Sequence, residues 1–261
     1  RYDACAIGTS TAALAFGGSQ FPTGPAPGKK TLTESWNGSS WTEVADLNAA
    51  NNGAAGLGAT STNGLNVGGS APSVTVNVES WNGSAWTETT NLNTAQTNAG
   101  AGGDYTAGLI YGGSGGGVNA RTEEWDGTSW TEKNDLNTAR RSMASSIAGS
   151  PTANLGFGGG TPSATAAVEE WSGNAPVGAW SSSSNLNTGR YNAADNIGTN
   201  TAAIAATGVT PSYTVNVENW DGSSWTEIAN VNTARSNAAG GGTTTSALIA
   251  GGYAPGTAEE D

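Results

Sequence analysis

The chain of 261 residues contains no histidine and a single cysteine. Without histidine a Ser-His-Asp triad cannot be built, and the commonest metal ligand of proteins is missing. The lone Cys5 allows neither an internal disulfide nor a cysteine zinc cluster. We therefore predict a non-enzymatic protein with no catalytic residues, no metal site and no cofactor.

Charged residues and long apolar runs are also scarce. Only 11% of the residues are charged, and nine Lys and Arg stand against 21 Asp and Glu, for a net charge of −12. No basic stripe is available to neutralise phosphates, so nucleic acid is not an expected partner. No apolar run approaches the roughly 20 residues that span a bilayer, so no membrane partner is expected either.

Repetition is what the chain has in abundance. Similar segments recur with a period of about 45 residues, which is the signature of a repeat architecture. All ten tryptophans keep register with this period. The first of each pair is Trp36, Trp81, Trp125, Trp171 or Trp220, and the second is Trp41, Trp86, Trp130, Trp180 or Trp225.

Three further elements keep their order within each unit. A segment rich in Ala and Gly comes first, and an apolar strand that ends in a glycine doublet follows, as in AALAFGG at Gly18 and GLIYGG at Gly113. A strand with a glutamate two places before the first Trp comes next. Asn-Gly or Asp-Gly after that Trp predicts a hairpin turn, because these residues tolerate positive φ.

This pattern resembles the kelch repeat over the whole chain. The resemblance implies a β-propeller with one four-stranded blade per repeat. The Asn- and Thr-rich sequence of the repeats, as in WNGSSWTEVADLN at residues 36–48, also resembles repeats in tail or appendage proteins of marine bacteriophages. That second resemblance implies an extracellular or virion location.

Counting the units predicts an all-β, six-bladed propeller formed by one domain over residues 1–261. In each blade, strands A to D run outward from the axis. Residues 257–261 match strand C of the sixth unit, and no strand D follows. We therefore expect the last blade to lack its outermost strand within this chain, and a neighbouring segment or a second molecule to supply it.

The repeated large and charged residues are interpreted as structural. Tryptophans at equivalent positions of every blade are expected to fill the spaces between blades. The glutamates are expected to accept hydrogen bonds from backbone N–H groups or arginine, and the arginines to satisfy carbonyls between blades. These residues are Glu34, Glu79, Glu123, Glu169, Glu218 and Glu259, with Arg1, Arg140, Arg190 and Arg235.

Residues that differ between repeats are where a function is expected, because the fold does not require them. The B–C loops and D–A connections vary most and share one face of a propeller. Aromatic and charged residues there make a candidate recognition surface. The candidate ligand-binding residues are Tyr2, Asp3, Phe21, Arg141, Tyr191, Tyr213 and Tyr253.

Two functions remain open at this point. The first is a binding module, such as a phage tail or appendage module, that recognises glycan or protein through the loop face. The second is a purely structural fibre or assembly unit joined to its neighbour by strand completion of the last blade. A hydrolase or lyase is the third and least favoured, because evenly spaced carboxylates around a ring do not form a catalytic pair.

Overall fold

The computed structural model describes residues 1–20, 28–146, 151–173, 178–194 and 197–254, and these residues form strands and turns with no helix. Five sheets of four antiparallel strands are built in the order A-B-C-D. Each sheet is one blade, and the A strands of successive blades lie side by side around a common axis. The chain is therefore an all-β propeller.

The strand bounds follow the repeat closely. Blade 1 comprises Cys5–Thr9, Ala12–Phe16, Thr33–Trp36 and Trp41–Val44. Blade 2 comprises Ala55–Thr60, Asn63–Val67, Val78–Trp81 and Trp86–Glu88. Blade 3 comprises Gly100–Asp104, Ala107–Tyr111, Thr122–Trp125 and Trp130–Lys133. Blade 4 comprises Ala144–Ser145, Ala153–Phe157, Val168–Ser172 and Ala179–Ser182, and blade 5 comprises Gly198–Thr199, Ala202–Ala206, Val217–Trp220 and Trp225–Ile228.

Two small hairpins in B–C loops pair Ser19–Gln20 with Gly28–Lys29 and Val209–Thr210 with Ser212–Tyr213.

The expected number of six blades is wrong, because the structure has five four-stranded blades. Within residues 197–254, the sixth unit contributes a sheet of two strands, Ala239–Thr243 and Ser246–Ala250, which we call the sixth-unit sheet. The expected third strand at residues 257–261, with Glu259, lies outside the described residues.

The sixth-unit sheet closes the ring against blade 1. Its inner strand Ala239–Thr243 lies beside the inner strand Cys5–Thr9. At the turns, the hydroxyl oxygens of Ser10 and Ser246 are 2.8 Å apart. Small residues are required at this radius: a Cβ added at Gly102 of blade 3 would stand 2.6 Å from the carbonyl oxygen of Ser146 in blade 4.

The first tryptophan of each pair ties its hairpin to the A–B turn of the same blade. In all five blades its indole N–H donates to a backbone carbonyl, at 2.9 to 3.1 Å. The acceptors are the carbonyls of Ser10, Ser61, Tyr105, Pro151 and Asn200. The indole is thus an apolar body with one satisfied polar atom, which suits a buried position.

The second tryptophan of each pair reaches the preceding blade. Trp86 lies 4.8 Å from Phe16 between ring centroids, and Trp180 lies 4.5 Å from Tyr111. These separations lie at the short end of the range for favourable aromatic pairs. The apolar core is therefore divided among the junctions between blades, with no single central core.

Buried glutamates of strand C make the polar contacts between blades. Glu169 in blade 4 is 2% exposed and accepts from the backbone N–H and the side-chain amide of Asn137, at 2.7 and 2.8 Å. Arg140 donates to the other carboxylate oxygen at 2.8 Å and to the carbonyls of Gly158 and Ala167. Asn48, Asn93 and Asn187 repeat the asparagine contact at three other junctions. Arg1 and Arg190 repeat the arginine contact to Glu34 and Glu218.

In blade 5, a threonine replaces the first glycine of the doublet. The doublets adopt positive φ in the other five units, but blade 5 has Thr207 at φ 62° in place of the first glycine. A β-branched residue in this region is strained. The Thr207 side chain is fully buried, and its hydroxyl has no hydrogen-bond partner among the described residues.

In blades 1, 2, 3 and 5 the turn between strands C and D is closed by an Asn or Asp side chain. Asp126 accepts from the N–H groups of Thr128 and Ser129 at 2.8 Å, and Asp221 does the same for Ser223 and Ser224. Asn37 and Asn82 occupy the same position in blades 1 and 2 and accept from the equivalent N–H groups at 3.0 Å.

Replacing Arg140 with alanine is expected to destabilise the protein by about 3–5 kcal/mol, because it leaves the buried Glu169 carboxylate without its cation. The neighbouring Arg141 is exposed, so Arg141→Ala is the matched control and should change stability by less than about 0.5 kcal/mol. Urea unfolding followed by tryptophan fluorescence measures both. Equal losses for the two variants would contradict the assigned role.

Thr207→Gly is expected to stabilise the protein by about 1 kcal/mol, because it removes the strain of a β-branched residue at positive φ. It also removes a buried hydroxyl that lacks a partner. Thr210→Gly, at a strand position with ordinary φ, is the control and should lower stability. The free energies of unfolding of both variants are compared with that of the parent chain, and a loss of stability in Thr207→Gly would refute the strain argument.

The turn aspartates are expected to make stability depend on acid pH. Hydrogen bonds from the Thr128 hydroxyl and the Ser129 and Thr128 backbone N–H groups hold the pKa of Asp126 well below its usual value of 3.8. Those from Ser224 and Ser223 lower the pKa of Asp221 to about 2. Because the folded pKa is depressed, this stability is complete above the unfolded pKa and is lost as pH falls through the folded pKa.

The double variant Asp126→Asn, Asp221→Asn tests this contribution, since asparagine already serves in blades 1 and 2. Its free energy of unfolding should match the parent near neutral pH and fall less steeply between about pH 4 and pH 2. Parallel pH profiles for the two proteins would show that these carboxylates carry no such linkage.

Candidate functional site

On one face of the propeller, the six units have the same backbone arrangement but carry different side chains. In every unit a residue of the D–A connection forms an isolated bridge with the residue after the glycine doublet. The bridged pairs are Tyr2–Ser19, Asn52–Ser70, Thr97–Ser114, Arg141–Gly160, Tyr191–Val209 and Ser236–Tyr253. The scaffold therefore presents equivalent positions whose chemistry differs from blade to blade.

A ring of residues at positive φ surrounds the axis just inside these pairs. It comprises Asp3, Gly53, Asn98, Ser142, Asn192 and Asn237, with φ between 53° and 61°. Five links of the ring are backbone hydrogen bonds of 2.8 to 3.1 Å, each from an N–H to the carbonyl of the preceding unit. The sixth link is made by side chains, with the Asn237 amide donating to the Asp3 carboxylate. A small cavity of about 70 Å³ lies inside the ring.

Tyrosines are gathered on one sector of this face. Tyr2, Tyr191, Tyr213 and Tyr253 line an open cleft of about 510 Å³, which we call the tyrosine cleft. The rings of Tyr213 and Tyr253 lie 5.2 Å apart at an angle of 56°. The hairpin Val209–Thr210 and Ser212–Tyr213 carries Tyr213 to this position. The cleft thus has aromatic walls supplied by blades 1 and 5 and by the sixth unit.

Polar groups from the inner ring form another part of the cleft lining. Asp3, Asn192 and Asn237 contribute there together with Ser236. Burial raises the pKa of the Asp3 carboxyl, and the hydrogen bond from Asn237 opposes that rise. Partial burial, with smaller effects from Tyr253 and Tyr191, raises the pKa of Tyr213. The site therefore offers hydroxyls, amides and one partly buried carboxyl beside aromatic rings.

A second depression continues from the tyrosine cleft. It measures about 190 Å³ and is lined by Arg141, Ser142, Gly160 and Pro162. Tyr191 and Asn192 line both depressions, which makes them one elongated surface. The exposed Arg141 stands at the far end as a cation.

The structure brings together five of the seven candidate ligand-binding residues. Tyr2, Asp3, Tyr191, Tyr213 and Tyr253 line the tyrosine cleft, and Arg141 lies in the adjoining depression. Phe21 lies outside the described residues. The sequence analysis did not include Asn237, although its repeated place directly after the variable residue of the D–A connection is a usable signal.

The side chains of the site can contact a ligand and hydrogen-bond to it. Within residues 1–20, 28–146, 151–173, 178–194 and 197–254, no group of three or more His, Cys, Asp or Glu is placed to hold a metal ion. The same part of the chain contains no helix long and apolar enough to cross a membrane. Tyrosine rings, amides and a carboxyl can stack on a ligand and hydrogen-bond to it.

Comparison with known protein families and with curated proteins finds no match to this chain. Among solved structures, one titled "Structure of YjhT" is similar in fold, with a TM-score of 0.77 over 98% of this chain and 91% of that chain. The fold is a β-propeller. At 13% sequence identity the similarity establishes the architecture and carries no information on ligand or activity.

Proposed function

We propose that this protein is a non-enzymatic recognition module that binds carbohydrate through the tyrosine cleft. The observation that carries the proposal is the gathering of four tyrosines on one sector of a face whose backbone is otherwise repeated. A packing role would place similar residues in every blade, as it does for the tryptophans. Here the aromatic residues are confined to three neighbouring units.

The cleft fits a sugar for chemical reasons. Tyrosine presents a flat apolar face together with a hydroxyl, and it loses little conformational freedom on binding because it has two side-chain torsions. The apolar faces of pyranose rings can lie on such walls, while Asn192 and Asp3 provide hydrogen-bonding groups for sugar hydroxyls. A cleft of about 510 Å³ has the size of a small-ligand site.

The Asn- and Thr-rich repeat sequences support a location for this activity. We propose that the domain is a kelch-type propeller displayed outside the cell or on a virion appendage, where a glycan receptor would be its ligand. Its net charge of −12 and its small polar residues suit an exposed soluble surface. A protein ligand on the same face is the alternative, because tyrosine clefts also serve protein recognition.

Tyr213→Ala is expected to weaken glycan binding by about fivefold, because removing one stacking wall costs about 1 kcal/mol. The measurement is a glycan array with the 261-residue protein, followed by calorimetric titration with the best ligand. Tyr105→Ala is the matched control: Tyr105 is 42% exposed and lies in an A–B turn on the opposite face.

Treating the cell-surface material that the protein captures distinguishes a carbohydrate ligand from a protein ligand. Periodate oxidation should abolish binding and protease treatment should leave it, since the proposed ligand is carbohydrate. The reverse pattern would identify a protein ligand instead. Equal binding by Tyr213→Ala and the parent chain would remove the tyrosine cleft as the site.

A further inference from the structure

Arg141 is a charged residue at a position where the other units carry none. The equivalent residues, each bridged to the residue after the glycine doublet, are Tyr2, Asn52, Thr97, Tyr191 and Ser236. Because five uncharged residues serve the same backbone bridge, the fold does not require an arginine here. A charge that the fold does not require, on the variable face, points to binding.

The Arg141 side chain extends from a fixed backbone. Its N–H donates to the carbonyl of Gly160 at 3.3 Å, and its carbonyl accepts from the N–H of Gly160 at 2.9 Å. Arg141 is exposed, and within the residues that the structure describes its guanidinium makes no hydrogen bond or ion pair. The preceding Arg140, by contrast, is fully buried and paired with Glu169. Of these two adjacent arginines, the first joins blades and the second presents a cation to solvent.

Gly160 leaves room beside that cation. The equivalent residues of the other units all have side chains, and they are Ser19, Ser70, Ser114, Val209 and Tyr253. A Cβ built on Gly160 would lie 3.6 Å from the carbonyl oxygen of Ser163 and 3.7 Å from that of Pro162, which is ordinary van der Waals contact. The backbone therefore does not require glycine here. What the glycine does is keep open the depression of about 190 Å³ that Arg141 lines.

Charge is distributed unevenly over the elongated surface that joins this depression to the tyrosine cleft. The charged residues of its lining are Asp3, in the tyrosine cleft, and Arg141, in the depression. They belong to units that stand three apart in a ring of six. An anionic group on a ligand is repelled by the carboxylate and attracted by the guanidinium, so this polarity would fix which end of the ligand lies in the depression.

We propose that the protein selects a saccharide that carries an anionic group, either a carboxylate or a sulfate ester, and that Arg141 binds this group. The inference rests on the proposed carbohydrate function and adds the charge class of the ligand. A planar guanidinium can donate two parallel hydrogen bonds to two oxygens of such a group. Neutral sugar rings would lie on the tyrosine walls. Tyr191 and Asn192, which line both depressions, would contact the part of the saccharide between them.

Matched pairs of oligosaccharides test the proposal. An array presents uronate oligosaccharides beside their carboxyl-reduced forms, and sulfated oligosaccharides beside their desulfated forms. The tightest ligand of the parent protein should be anionic and should bind about fivefold more tightly than its neutral counterpart, which is the upper end for a solvent-exposed ion pair. This margin should shrink as NaCl is added, because salt screens exposed charges. The pair that shows the larger margin distinguishes a carboxylate from a sulfate ligand.

Three variants locate the anionic group on the surface. Arg141→Ala should bind the two members of that pair equally. Gly160→Val, which places in the depression the residue found at Val209, should weaken binding of the anionic member more than that of the neutral one. Arg121→Ala is the control, because it removes an exposed cation that lines neither depression and should keep the margin.

The outcomes separate this inference from the proposed function. Equal binding of the two members by the parent protein overturns the inference, and so does a margin that survives in Arg141→Ala. In either case the carbohydrate function stands if Tyr213→Ala weakens binding of the neutral member. Absence of binding to every member of the array overturns both.

Discussion

The structure depends on burying a glutamate of strand C in blades 2 to 5, where each blade meets the preceding one. A carboxylate in such a place is tolerated only when its oxygens are paired, because an isolated buried charge is costly. Asn137 and Arg140 supply that pairing to Glu169 from a single D–A connection. Because the connection belongs to the preceding blade, each contact also fixes how two blades sit against each other.

The junction between blades 2 and 3 keeps a buried glutamate without an arginine. Gln96 replaces arginine in the connection that reaches Glu123, and its side-chain amide has no hydrogen-bond partner among the described residues. Glu123 is nevertheless fully buried, and it accepts from the backbone N–H and the amide of Asn93 and from the N–H of Thr94. Three donors satisfy the hydrogen-bonding needs of this buried carboxylate. The local hydrogen bonds are therefore sufficient, and arginine adds the carbonyl contacts.

The propeller architecture was predictable because the sequence of each repeat indicates it directly. Paired tryptophans and glycine doublets at a fixed spacing describe thin units that can bury their apolar faces only against one another. The number of blades was predicted wrongly because A–B pairs were counted as blades. A blade needs strands C and D, and within the described part of the chain the sixth unit contributes strands A and B alone. Thr207 could not have been predicted at positive φ, because its side chain argues against that conformation.

The candidate site was only partly predictable, for a related reason. Variation between units pointed to Tyr2, Tyr191, Tyr213 and Tyr253, but their proximity depends on ring closure, which brings residues from both ends of the chain together. The contact between Tyr213 and Tyr253 depends on two different loop conformations that no repeat specifies. The backbone ring at positive φ holds the variable positions in place by main-chain hydrogen bonds at five of its six links. Side chains outside that ring can therefore change from unit to unit without altering the scaffold, which is the property a recognition surface requires.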